Sequence, residues 1–249
     1  MFLAMPTKPL CASIVNPVFF TTQWSAVLQA VGDSPEAVGA LEALCSTYWP
    51  PLYAYARRDG LSPHDAQDAI QDFIHHILRR NDLASVSPEK GRFRFFLLAA
   101  LKNFLVSRAR KEETLKRGAG VEPVHFGLQY AEALCQNEFT DELRPDKAFD
   151  RRWARTIMAL GLERLRDEHK APAKERLFIV LQPALADGDR LEKLSELASQ
   201  LGITPGALAT AATRLRQRYR VLIEQVVRRT VEQPAEVKQE LQALREAWT

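Results

Sequence analysis

The chain has 249 residues, 46% of them apolar and 26% charged, the balance of a soluble globular protein with a core of its own. With 11 Gly and 14 Pro it is neither collagen-like nor low-complexity, and no apolar run reaches the roughly 18 residues of a membrane span. The formal net charge of +3 hides an asymmetry: Gly91 to Gly118 carries +6 and Gly206 to Val231 carries +5, which leaves −8 on the rest. Two separated basic stretches in an otherwise acidic chain point to a polyanion partner. The three cysteines, Cys11, Cys45 and Cys135, form no CxxC pair, which predicts a reducing compartment without a disulfide framework or structural zinc. Met1 to Thr7 reads as a ragged terminus and not a secretion signal. A cytoplasmic location is expected.

The periodicity is helical throughout, with almost no alternating β-branched runs. Ser34-Pro35-Glu36 supplies an N-cap, a first-turn proline and an acidic first turn. The helix it opens carries Ala40, Leu41, Leu44 and Tyr48 and is expected to break at Pro50-Pro51. A second segment, Leu52 to Arg58, stops at Gly60. Ser62-Pro63-His64-Asp65 repeats the capping device and opens a helix to about Arg80 with the stripe Ala66, Ala69, Ile70, Phe73, Ile74 and Ile77. A loop follows, and Gly91 to Arg117 reads as one long helix, straight or bent. From Ala119 to about Pro145 the pattern fades into a linker. Helical spacing returns over Asp146 to Glu168, then over Ala173 to Gln182, Leu191 to Leu201, Pro205 to about Thr230, and Ala235 to Trp248. The architecture expected is all-α: two helical modules joined by a linker.

In the second half, Leu191, Leu194, Ala198 and Leu201 share one face of a short helix. Gly202-Ile203-Thr204-Pro205 ends it and caps the next, with Ile203 of a type that is usually buried. That is the spacing of a helix-turn-helix. On the following helix Leu208, Leu215, Tyr219, Leu222 and Val226 form an apolar stripe. The opposite face collects Gly206, Thr210, Thr213, Arg214, Gln217 and Arg220, while Arg216 and Arg218 flank the stripe. Such a helix can set side chains on base edges and phosphates in a major groove; an ordinary amphipathic surface helix is the plainer alternative.

Along Gly91 to Lys111, Phe93, Leu97, Ala100, Leu101 and Phe104 share a core-facing stripe. The far face holds Arg92, Phe95, Lys102, Asn103, Val106 and Arg110, with Phe96 at the border. Cations interleaved with rings suit unstacked single-stranded bases. Periodicity alone favours a different role for Phe95, Phe96 and Val106, that of packing beneath a neighbouring helix. The preceding helix is acidic, through Asp65, Asp68 and Asp72, with Gln67 and Gln71 beside them. Asp68, Asp72 and His75 or His76 are spaced to share a metal, but no HExxH and no fourth ligand accompany them. They read as exposed helix-face residues, and no metal or other cofactor is expected.

Together these stretches resemble a bacterial RNA polymerase sigma factor of the extracytoplasmic-function type. The run Asp65-Ala66-Gln67-Asp68-Ala69-Ile70-Gln71-Asp72-Phe73-Ile74 is similar to that family's acidic DAxDxxQ-[DE]-xF helix, which docks on the polymerase clamp helices. Phe93-Arg94-Phe95-Phe96-Leu97-Leu98-Ala99-Ala100-Leu101-Lys102-Asn103-Phe104-Leu105 is similar to its FRxWLxxxAxN segment, which melts and reads the −10 element. Leu194 to Arg220 is similar to its last module, which reads the −35 element. FFTTQWSAVLQA (Phe19 to Ala30) and VEQPAEVKQEL (Val231 to Leu241) resemble a subgroup with longer termini. Phe96 stands where the family often has tryptophan, and Ala209 and Thr213 stand where subgroup members often have longer polar residues.

The resemblance implies an amino-terminal extension over 1–35, a polymerase-binding and promoter-melting module over 36–118, and a linker with a helix over 119–167. A helix-turn-helix module then spans 168–230 and a carboxy-terminal helical extension 231–249. Asp65, Asp68, Gln71 and Asp72 would meet core RNA polymerase. Arg92, Arg94, Lys102, Arg108, Arg110 and Lys111 would hold phosphates, and Phe95, Phe96 and Asn103 would engage the melted single strand. Thr204, Thr210, Thr213, Arg214, Gln217 and Arg218 would hold duplex promoter DNA. An anti-sigma factor or other regulator is a partner the resemblance admits; no catalysis is expected. A stand-alone helix-turn-helix repressor with dimerising amino-terminal helices is the alternative, and a metal-dependent helical enzyme a more distant one. The last helix, with Val237, Leu241, Leu244 and Trp248 on one face, either packs on its own module or clamps both.

Overall fold

The computed structural model describes residues 35–79, 93–115, 144–186, 194–231 and 233–248. Among these the protein is all-helical, with eight helices of eight residues or more, one single turn and no strand. The chain divides into two compact units, Met1–Pro145 and Asp146–Thr249. No helix among the described residues is long and apolar enough to cross a membrane.

The first unit is built from α1 (Pro35–Arg58), α2 (Pro63–Arg79) and α3 (Phe93–Leu115). The expected break at Pro50-Pro51 does not occur: α1 runs through both prolines. Residues 51 to 56 are all buried, so tertiary burial outweighs the backbone bonds that two prolines remove. α1 ends where Gly60 turns left-handed (φ +102°), with the N–H groups of Gly60 and Leu61 donating to the carbonyls of Arg57 and Ala56. This is a Schellman closure, which a residue with a Cβ reaches only under strain. Ser62 caps α2 as expected, its Oγ accepting from the Asp65 N–H at 3.2 Å and its hydroxyl donating to Asp65 Oδ2 at 2.6 Å. The cap of α1 expected at Ser34 lies outside the described residues.

Rings join the three helices. Tyr48 of α1 meets Phe93 of α3 edge-on at 5.2 Å, and Phe73 and His76 of α2 lie 5.6 and 5.5 Å from Phe104 of α3. The stripes foreseen on α2 and α3 face this core: Ala66, Ala69, Ile70, Phe73 and Ile77 are buried, as are Phe93, Leu97 and Leu101.

The second unit contains α4 (Pro145–Asp167), α5 (Pro172–Leu181), the single turn α6 (Pro183–Ala186), α7 (Leu194–Leu201), α8 (Pro205–Thr230) and α9 (Glu236–Trp248). Leu165, Phe178, Leu181 and Ala198 gather on Leu208, Ala212, Leu215 and Leu222 of α8, so four helices share one core. α4, expected to belong to the linker, is therefore part of this unit. Its Gly161 lets α8 come close: a Cβ there would stand 3.0 Å from Ile223 Cγ1 and 3.3 Å from Tyr219 Cε2. Tyr219 fastens the crossing by donating its hydroxyl to the Met158 carbonyl at 3.0 Å. α9 packs against α8 and buries Val237 and Leu244.

Candidate nucleic-acid interface

On α2, Asp65 and Asp72 are exposed, while Asp68 and Gln71 are half-buried. Gln67, expected beside the acids, is buried instead. Asp68 lies 3.2 Å from Nδ1 of His64, and Asp72 accepts from Arg108 of α3 at 3.1 Å. Among the described residues no three His, Cys, Asp or Glu side chains come together in a way that could hold a metal ion.

α3 puts Phe95, Asn103, Val106 and Arg110 at the surface. Phe95 is 44% exposed and Val106 52%, so neither packs beneath a neighbouring helix as periodicity alone favoured. Phe96 is half-buried, its ring 6.3 Å from that of Phe93. Lys102 stands over the Tyr55 ring at 5.6 Å. Arg94 departs from its expected place among exposed cations. It is only 4% exposed, with its guanidinium 4.4 Å from the centre of the Phe95 ring. A cation in that position braces the ring from below and has little surface left for a phosphate. Arg92 and the side chain of Lys111 lie outside the described residues.

In the second unit α7 closes on Gly202 (φ +66°), with the N–H groups of Gly202 and Ile203 donating to the carbonyls of Ser199 and Ala198. This second Schellman closure is followed within two residues by Thr204, whose Oγ1 accepts from the Ala207 N–H at 3.2 Å and caps α8. Ile203, expected to be buried, is 38% exposed.

α8 divides as its sequence suggests. Leu208, Leu215, Leu222 and Val226 are buried behind, and Tyr219 is half-buried. Gly206, Thr210, Thr213, Arg214, Gln217 and Arg220 are exposed in front, and Arg216 is half-buried at the flank. Arg218 on the other flank donates from Nε to Glu168 Oε2 at 2.8 Å and from Nη2 to Oε1. These bonds hold the Glu168 carboxyl below the usual carboxylate range and raise the Arg218 guanidinium above its own. Burial pushes the Tyr219 phenol up to about 12. Farther along, Arg164 is lowered by burial and by the neighbouring charge of Arg229.

Glu168, Met158 and Gly161 are contributions that sequence reasoning did not find. Each acts through a partner 50 or more residues away, and no local periodicity marks such a contact. The arrangement offers two kinds of surface: a helix of acids, and helices on which basic side chains share a face with one exposed ring in one unit and with small hydroxyl side chains in the other. Compared with models of protein families, with curated proteins and with solved structures, the chain matches none.

Proposed function

We propose that the chain is a transcription initiation factor that binds core RNA polymerase and directs it to specific promoters. The amino-terminal module docks on polymerase through Asp65, Asp68, Gln71 and Asp72. It engages the melted −10 strand through Phe95, Phe96 and Asn103, with Lys102, Arg108, Arg110 and, outside the described residues, Arg92 and Lys111 near the phosphates. Arg94 supports Phe95. The carboxy-terminal module acts as a helix-turn-helix, α7 supporting and α8 entering the −35 duplex with Thr204 at its cap and Thr210, Thr213, Arg214 and Gln217 on its face.

The observation that carries this reading is the construction of α8. A Schellman closure and a threonine cap start a helix that is buried along Leu208, Ala212 and Leu215. The same helix is exposed along Thr210, Thr213, Arg214 and Gln217. A helix fixed from behind, with polar groups able to match base edges in front, is what major-groove readout needs. The exposed ring of Phe95 beside the cations of α3 adds a stacking platform of the kind single strands use, and the acids of α2 suit a basic partner surface.

The test is affinity for sigma-free core RNA polymerase, followed by transcription from a pool of genomic fragments. Saturable binding with new, defined start sites is the expected result. Absence of polymerase binding together with tight, palindromic DNA binding by the protein alone would replace this reading with a stand-alone repressor.

A further inference from the structure

Three threonines lie on the α7–α8 face, and their hydroxyls are not equivalent. Thr210 donates its hydroxyl hydrogen to the Gly206 carbonyl at 2.9 Å, and Thr213 donates its own to the Ala209 carbonyl at 3.0 Å. Both side chains are nevertheless exposed. A hydroxyl has one hydrogen to give, and in these two residues the helix has already taken it. What remains to them is a methyl group and an oxygen that can only accept. Thr204 is the opposite case. Its oxygen accepts from the Ala207 N–H, so its hydrogen stays available to a phosphate oxygen, which accepts only.

We propose that Thr210 and Thr213 read thymine through its C5-methyl group, so that α8 selects a duplex with thymines facing these two positions. The proposal rests on the initiation-factor reading, specifically on α8 entering duplex DNA. In the major groove thymine alone presents a methyl group, and a side-chain methyl is its natural apolar partner. Residues 210, 213, 214 and 217 recur at the spacing of one helix face, so the two methyl groups precede Arg214 and Gln217 along it. Arg214 carries the donor fork that guanine O6 and N7 accept, and Gln217 the amide that pairs with adenine N6 and N7. The back-bonded hydroxyls are held by the helix itself, so the methyl groups are ordered before DNA arrives and little rotamer freedom remains to be lost.

The experiment uses the full chain with sigma-free core RNA polymerase and a pool of duplexes randomised over the upstream promoter element. In the enriched duplex, each thymine is replaced in turn by deoxyuridine, which differs only by the missing methyl. Binding is measured for wild type, Thr210→Val, Thr213→Val, Thr210→Ser and Thr213→Ser, with helicity followed by circular dichroism. A buried methyl is worth about 0.8 kcal/mol, or about fourfold in affinity. We expect about fourfold weaker binding of wild type at one or two deoxyuridine positions. The valine variants, which keep a methyl group, keep the same sensitivity to deoxyuridine. Each serine variant binds about fourfold less tightly and no longer distinguishes thymine from deoxyuridine at one position.

Valine variants that lose affinity while serine variants keep it would overturn the proposal and make the hydroxyl the reader. So would enrichment of a duplex in which no thymine responds to deoxyuridine. Failure of the complex to enrich any duplex would instead remove the initiation-factor reading, and the proposal with it.

Discussion

Arg218 donates two hydrogen bonds to Glu168 across 50 residues of sequence, one to each carboxylate oxygen. The pair ties the flank of α8 to the corner that follows α4, and it occupies a guanidinium at the edge of the proposed DNA face. A carboxylate and a phosphate ask for the same donor fork. Glu168→Gln should therefore release Arg218 to DNA, tightening duplex binding by the polymerase complex about threefold and steepening its salt dependence by about one ion. Affinity measured over a salt series checks both. An exposed pair of this kind stabilises the fold by at most about 1 kcal/mol.

The same pair gives a pH dependence with a definite sign. The Glu168 carboxyl is lowered in the folded protein, first by its bond to Arg218. Its contribution is therefore complete above the ordinary carboxylate range and disappears as pH falls through the lowered value. Urea midpoints of wild type and Glu168→Gln should differ at neutral pH and converge in acid.

Tyr219 works at the alkaline end. Its phenol rises to about 12 when folded because it is buried, whereas an unfolded tyrosine ionises near 10. The stability this represents is complete below the unfolded value and is lost between about pH 10 and pH 12. Tyr219→Phe should remove that alkaline loss. At neutral pH it should cost about 1 kcal/mol, because the Met158 carbonyl loses its donor.

Reversing the charge of both Asp68 and Asp72 should abolish polymerase binding and leave helicity unchanged. Asp72 also meets Arg108 between α2 and α3, but an exposed pair contributes about 1 kcal/mol at most. Wild-type polymerase affinity in the double variant would refute the docking role. On α3, Phe95→Ala should cost about 1 kcal/mol of stability, the scale of its lost contact with the Arg94 guanidinium. It should weaken the melted-strand complex about tenfold, the scale of one lost stacking contact. Phe93→Ala, two residues earlier and fully buried, should cost about 3–5 kcal/mol of stability. Chemical denaturation and a single-stranded binding assay distinguish the two.

Two glycines predict opposite outcomes for one substitution. At Gly206 a Cβ meets nothing within 4 Å, so Gly206→Ala should stabilise α8 by up to about 1 kcal/mol. At Gly161 the Cβ would press on Ile223 and on a Tyr219 ring that its bond to Met158 keeps in place. Gly161→Ala should lower stability by about 1 kcal/mol, overpacking outweighing the gain in helix propensity. Melting temperatures of the two variants settle the sign.

What the sequence revealed and what it concealed divide along range. The stripes of α2, α3 and α8 were readable because side chains three and four apart share a face whatever lies opposite. The Ser62 and Thr204 caps were readable because each acts within three residues. The continuity of α1 through Pro50 and Pro51 was not, since local rules forbid it and only the burial of the following turns permits it. Arg94 was misplaced because charge suggests exposure, while its side chain is buried with the guanidinium against the Phe95 ring. α4 was assigned to the linker because Gly161 and Leu165 show their purpose only beside α8.

Gly60 and Gly202 are surrounded by open space: a Cβ built on either touches nothing within 4 Å, and both hold a left-handed backbone. What disfavours an L-residue there is chirality and not room. A D-alanine has the mirror preference that matches that backbone, and it leaves the unfolded chain fewer conformations than glycine does. The place where α7 yields to α8 is thus fixed by the handedness of a single residue.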